Sequence, residues 1–402
     1  MSELLFLQQA LGIPELHLQS AEVKENHVWI TAGLMIEKGV CPDCETICTQ
    51  AHQYLERSVR HLPMWGKTCG ITYLEPQMEC PQCGRTFVPP AGFLLPRHPH
   101  VTREYAQYLF DRMKGNCIKV LAQQEGLPEK TLEAIYYAVA EERDRSTPLE
   151  PTTHVGIDEI STQKGHGKFK AVISDLKRGQ VLDLLESREK AVLVAWFRGK
   201  PPEWRAAVRV VSIDLWEPYR QGVKEVFGQR VMLVADKFHG VKQFNGRIQD
   251  TRREIQREAP PEVQEALKGI RWAILKDPKH LKGEERRALG RALASHPPLR
   301  RMYELKKAFL KIYRVGVDRP IRRLKGWIKR ARAAGLRNLE KFVRTLENWW
   351  DEITAYFRSG ATNAGCEGLN TVIKLVNRRA YGYRNHRHFV LRVKHETGAL
   401  SA

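Results

Sequence analysis

Apolar and polar residues alternate along Glu22–Leu34, the two-residue period of a half-buried strand, and a strand or two is expected within residues 1–35. From Thr102 to Arg145 the pattern turns helical, and Thr147-Pro148 closes that stretch. Short apolar runs return at His154. HVGIDEIS, KFKAVISDL and QVLDLLES read as three strands, with turn chemistry at Gly165-His166-Gly167 and Lys177-Arg178-Gly179. A helix over Glu189–Phe197 then leads to the strand AAVRVVSID, and a helix over Pro218–Phe227 leads to the strand RVMLVAD. Residues 241–358 read as long basic helices, marked by Arg252-Arg253, Arg286-Arg287, Arg300-Arg301 and Arg322-Arg323. A last amphipathic helix begins near Thr362, a good N-cap. At about 100° per residue it carries Asn363, Glu367, Asn370, Thr371 and Lys374 on one face, and Leu369, Val372, Ile373 and Val376 on the other.

Three strands, helix, strand, helix, strand is the order of an RNase H-like α/β domain, here interrupted by a helical insertion. The 402 residues divide into an N-terminal β segment (1–35), a cysteine-rich module (36–95) with Phe93-Leu94-Leu95-Pro96 as its exit linker, and a helical domain (96–150). The first part of the α/β core (151–240), the basic insertion (241–358) and the final part of the core (359–402) follow.

Charge changes the picture. Lys and Arg number 66 against 46 Asp and Glu, a formal excess of +20, so long-range electrostatics favour a polyanionic partner, and only together with the motifs below is double-stranded DNA the expected one. No apolar run approaches the roughly 18 residues of a membrane span. The opening MSELLFLQQALGIPELHL lacks a basic leader and a small-residue cleavage site, which argues for the cytoplasm.

Cys41-Pro-Asp-Cys44 and Cys80-Pro-Gln-Cys83 are two CxxC knuckles separated by 35 residues. Two such turns can present four thiolates to one structural Zn²⁺, and the hairpin-forming stretch KTCGITYLEPQMEC can fill the span between them. Disulfides are the competing reading, which fits poorly with a chain lacking a secretory signal. Cys48 and Cys69 are surplus candidates for the site, and Cys117 and Cys366 read as bystanders.

The segment CIKVLAQQEGLPEKTLEAIYYAV has helix-turn-helix spacing. Ala122 is small where helices approach, Gly126 suits a turn with positive φ, and Pro128 can open the second helix. Leu132 and Ile135 face the core, while Lys130 and Glu133 are left exposed for groove or phosphate contact. Lys374, Arg378 and Arg379 on the last helix are further expected DNA contacts.

Asp158 and Asp214 close short apolar strands, where a buried acid requires hydrogen bonds or a metal. With Glu367 leaning from the last helix, three acids at the mouth of one sheet could hold two divalent ions for in-line phosphoryl transfer.

The order of motifs resembles one family along nearly the whole chain: the DDE transposases of bacterial insertion sequences of the L-three type. The resemblance is carried by Arg60-His61-Leu62-Pro63, Trp65-Gly66 and Cys80–Phe87 around the knuckles, then by Gly156–Glu159, Ser212–Tyr219 and Ala235–His239. It closes with Asn363–Asn370 and Tyr381–Asn385. It implies an RNase H-like core and cleavage at transposon ends dependent on Mg²⁺ (or Mn²⁺), followed by strand transfer through a freed 3′-hydroxyl. Asp158, Asp214 and Glu367 match the family's acidic triad, and Asp236 and His239 match a signature expected to shape the site or contact DNA. The reaction class implies a homodimer on paired ends. Two other readings remain: a zinc and helix-turn-helix regulator without chemistry, and another RNase H-like nuclease such as a resolvase or RNA–DNA hybrid nuclease.

Overall fold

The alternating N-terminal stretch folds as strands Leu16–Val23 and His27–Leu34, preceded by a helix, Glu3–Leu11, that the sequence reading did not anticipate. The computed structural model describes residues 3–161, 169–314, 318–361 and 364–400. The Gly165-His166-Gly167 turn, the Thr362 cap and Asn363 lie outside the described residues. The chain forms two units, one of residues 1–148 with 376–396 and 400–402, the other of residues 149–375 with 397–399.

In the first unit a long hairpin, Ala51–Met64 and Lys67–Glu79, bridges the two knuckles, and its second strand also pairs in parallel with His27–Leu34. The two-residue connection Trp65-Gly66 has positive φ at both positions (50° and 76°), the turn whose twist matches paired antiparallel strands. Phe93-Leu94-Leu95 is no linker: all three side chains are buried, and Leu94–Leu95 pairs with the strand His98–Thr102.

Helices Arg103–Met113, Ile118–Glu125 and Glu129–Ser146 then pack around Leu109, Leu121, Leu132, Ile135 and Tyr136. The C-terminal helix His386–Glu396 completes this core. His395 stacks on Phe110 with ring centroids 3.9 Å apart, and His388 stacks on Tyr137 at 3.6 Å. Residues 376–396 therefore group with the helical domain rather than with the α/β core, as their boundary at 359–402 had placed them. The aromatic and histidine surfaces that cause this are dispersed through charged sequence and give no clear apolar stripe.

The second unit is built on a sheet whose described strands run in the order Gln180–Leu184, Phe169–Asp175, His154–Ser161, Val210–Ile213, Met232–Ala235. The first three are antiparallel neighbours and the last three are parallel. Helices Lys190–Arg198 and Glu217–Phe227 cover the sheet through Leu193, Phe197, Tyr219 and Val223. The basic segment begins inside the helix Lys237–Glu258, four residues before the expected boundary, because that helix starts directly after the last strand. Its own core, with Phe244, Phe309, Trp327 and Phe342 in ring contact, is continuous with that of the sheet. No helix among the described residues is long and apolar enough to cross a membrane.

Candidate functional sites

The two knuckles repeat one backbone pattern. Cys41 N–H donates to Thr46 O (2.9 Å) and Glu45 N–H to Cys41 O (3.0 Å), while Cys80 N–H donates to Arg85 O (2.8 Å) and Gly84 N–H to Cys80 O (2.9 Å). The fourth residue after each leading cysteine is left-handed, Glu45 at φ 59° and Gly84 at φ 72°. These turns bring the sulfurs together, with Cys44–Cys80 at 3.4 Å and both Cys41–Cys83 and Cys44–Cys83 at 3.6 Å. Thiolates sharing a tetrahedral zinc at about 2.3 Å stand roughly 3.8 Å apart, whereas a disulfide needs about 2.05 Å. The spacing fits one metal ion, and all four cysteines are free thiols. The Cys80 thiol is pushed down to about 6, chiefly by the backbone N–H of Cys83 and also by that of Gln82, against the cost of its burial. Cys69 lies in the separate core of the N-terminal sheet, where burial pushes its thiol up to about 11; neither it nor Cys48 joins the group of four.

In the helical domain Gly126 ends its helix at φ 62° with its N–H on Ala122 O, and Leu132 and Ile135 are buried. Pro128 precedes the second helix as its cap rather than opening it, and Lys130 and Glu133 are exposed. Lys374 and Arg378 are exposed too, whereas Arg379 is held by Glu396 at 3.3 Å.

Strand order decides the acidic site. Ile157 pairs with Ile213 and Ile213 with Ala235, so Asp158, Asp214 and Asp236 follow in one row. Asp214 and Asp236 come directly after their strands, whereas Asp158 lies inside His154–Ser161 rather than closing it, because that strand runs on beside its antiparallel neighbour with Asp158 opposite Val172. All three are buried. The helix after Asp236 turns His239 back over the middle strand, and its Nε2 lies 2.9 Å from Asp214 Oδ1. Asp158, Asp214 and His239 each offer a donor atom within 4.8 Å of the others. Burial raises the Asp158 carboxyl and pushes that of Asp214 up to about 6. For His239 burial works downward, but the hydrogen bond and charge of Asp214 outweigh it and the net direction is up. Two buried acids this close, balanced mainly by one imidazole, suit a hard divalent cation.

Asp158 is held on both sides. Its Oδ1 accepts from Glu159 N–H (2.7 Å) and its Oδ2 from Asn370 Nδ2 (2.7 Å) on the helix Ala364–Arg379. Glu159 itself is engaged by Arg188 at 2.6 Å, whose guanidinium lies over the rings of Phe169 (4.3 Å) and Trp216 (4.5 Å). Glu367, one helical turn before Asn370, is exposed and is not among the clustered donors.

In the sequence Asn370 reads as one member of a polar face and Cys366 as a bystander. Cys366 is fully buried, with Sγ 3.0 Å from Ser174 Oγ, and begins the buried stripe continued by Leu369 and Ile373. Counting cysteine as a small apolar residue would have placed it there.

A family model described as "Transposase", of the DDE class of ISL3 elements, matches residues 155–393. The chain belongs to the ISL3 family of DDE transposases. A second family model, described as the zinc-finger of transposase IS204/IS1001/IS1096/IS1165, matches residues 37–83 and so covers both knuckles. The chain is 24% identical over 372 residues to the transposase for insertion sequence element IS1001 of Bordetella parapertussis, across 90% of this chain and 89% of the relative. It is 25% identical over 339 residues to the transposase for insertion sequence element IS1557 of Mycobacterium tuberculosis, across 77% and 74% respectively. The family accounts for the zinc ribbon, and it implies a divalent metal and DNA as partner.

Proposed function

We propose that this transposase binds the terminal repeats of its insertion sequence, cuts there, and joins the freed 3′ end to target DNA. The supporting observation is the pair of buried carboxylates, Asp158 and Asp214, side by side where the parallel pairing of their adjacent strands stops, with His239 against them. An antiparallel three-strand meander continued by parallel strands agrees with an RNase H-like core. Asp158 and Asp214 would hold Mg²⁺ or Mn²⁺, with Glu367 as the third acid of the triad. Bound there, such a cation activates an attacking oxygen and neutralises charge on the leaving one.

The protein's own groups do the positioning. Glu159 N–H and Asn370 fix the rotamer of Asp158, while His239 balances the charge of Asp214. Asp236, one strand further out, shapes the site from its edge. The helices Ile118–Glu125 and Glu129–Ser146 act as the helix-turn-helix, with Lys130 and Glu133 toward the groove and Lys374 and Arg378 toward phosphates. Arg379, tied to Glu396, serves the fold. Two copies would assemble as a dimer on paired ends.

The test is a short duplex carrying the element's terminal repeat, incubated with a target plasmid and Mg²⁺. Joined products are expected. Cutting without joining would favour another nuclease, and binding without cutting would favour a regulator.

A further inference from the structure

Asn370 has two amide atoms, and only one is accounted for. Its Nδ2 donates to Asp158 Oδ2, which fixes the amide orientation, because a carboxylate oxygen can face only the NH₂ side. Its Oδ1 is buried and has no hydrogen-bond partner among the described residues. A buried amide oxygen without a partner costs on the order of 1–3 kcal/mol, so such an atom in a polar site points to something that it receives there.

The helix is seated so that this amide cannot easily withdraw. Gly156, two residues before Asp158, lacks a Cβ where one would lie 2.7 Å from Cys366 Sγ, 2.7 Å from Ser174 Oγ and 2.8 Å from Leu176 Cδ2. That missing methyl lets the helix come close to the strand. Cys366, Leu369 and Ile373 anchor its buried stripe, and Asn370 reaches Asp158 from its edge. Glu367 lies one turn earlier on the same side as Asn370.

Building on the proposed metal site at Asp158 and Asp214, we infer that Asn370 is a positioning residue of that site which also adds an oxygen to it. Nδ2 locks the carboxylate of Asp158 in its donor geometry, and Oδ1 joins the hard oxygen donors that face the cation. The pairing also ties the helix of Glu367 to the strand of Asp158, so the third acid and the first are registered through Asn370.

The experiment is Mn²⁺ binding to the full-length, zinc-loaded protein, read from the electron paramagnetic resonance signal of free Mn²⁺, with zinc content and thermal midpoint measured on the same samples. Asn370→Leu keeps the volume and removes both amide functions. It should weaken Mn²⁺ binding about 10- to 100-fold, the usual consequence of removing an outer-shell partner, with zinc content unchanged and the midpoint close to that of the parent. Asn370→Asp keeps the donor oxygen but loses the NH₂ that holds Asp158, so Mn²⁺ should bind more tightly than to Asn370→Leu. A purely structural asparagine would leave Asn370→Leu at the parental affinity. Parental Mn²⁺ affinity in Asn370→Leu overturns the inference, as does binding to Asn370→Asp no tighter than to Asn370→Leu. The control is Asp214→Asn. If it loses Mn²⁺ while Asn370→Leu does not, the metal site stands and only the role of Asn370 fails; if the parent binds no Mn²⁺, both readings fall.

Discussion

Cys366 packs so tightly on Gly156 that a Cβ on the glycine would lie 2.7 Å from its sulfur. This contact sets how close the helix of Glu367 can come to the strand of Asp158, so shape and chemistry are linked at one point. Gly156→Ala should overpack it and destabilise the protein by about 1–3 kcal/mol. The double variant Gly156→Ala with Cys366→Ala should recover part of that loss. Thermal or denaturant unfolding of the two single variants and the double variant reads the coupling directly; strict additivity would mean that the contact carries no strain.

The zinc ribbon makes two linked expectations. Purified protein should carry about one zinc per chain, lost on strong chelation together with the fold of residues 37–83. Glu45 occupies a left-handed position that its counterpart Gly84 fills without steric cost. Glu45→Gly should therefore stabilise the ribbon by about 1 kcal/mol and slow zinc loss to a competing chelator, and faster loss would count against the geometry.

Acid should weaken the first unit. His61, hydrogen-bonded to Thr102 at 2.9 Å, is held down to about 4 by burial, and His395 to about 3 by burial and then by the charge of Arg392. Both folded values lie below the unfolded value of about 6.5, so the folded state binds fewer protons. The stability is complete above that value and is lost as pH falls from about 6.5 toward 4 and 3. At pH 5 the loss from His61 alone is about 2 kcal/mol relative to neutral pH. Denaturant unfolding at pH 7.5 and pH 5 checks this, and His61→Gln should flatten the dependence.

Much of this architecture was legible in the chain because it rests on local signals. The CxxC turns, the short apolar strands around Asp158 and Asp214, and the turn at Gly126 each carry their own chemistry within a few residues. What escaped depends on long-range register. Asn370 reaches Asp158 from 212 residues away, and nothing in its local sequence distinguishes it from Thr371 or Lys374. The family signature already pointed to His239, but its place against Asp214 follows only from the strand before it lying beside the strand of Asp214. The short helix Glu3–Leu11 and the buried Leu94-Leu95 pair are shaped by tertiary packing rather than by propensity.

Glu367 separates binding from chemistry. Exposed and outside the group of clustered donors, it contributes little to the fold. Glu367→Gln should leave the thermal midpoint and the affinity for terminal-repeat DNA within twofold of the parent, while cleavage in Mg²⁺ or Mn²⁺ disappears. Gel-shift and cleavage assays on one duplex decide it; normal cleavage would move the third acid elsewhere, with Asp351 next to be tested and Glu159 made less suitable by Arg188.

Which acids share the cation is the centre of the account. Adjacent strands stand about 4.8 Å apart, so Asp158 and Asp214 are within reach of a common ion, while Asp236 is roughly twice as far from Asp158. The decisive measurement is single-turnover cleavage of a terminal-repeat duplex in Mg²⁺ by Asp214→Asn and Asp236→Asn, side by side with the parent. Asp214→Asn should still bind the duplex but cut it on the order of 100- to 1,000-fold more slowly or not at all, as expected where charge at the reacting centre carries the rate. Asp236→Asn should keep a measurable fraction of the parental rate. An active Asp214→Asn beside an inactive Asp236→Asn would contradict the assignment of the metal site.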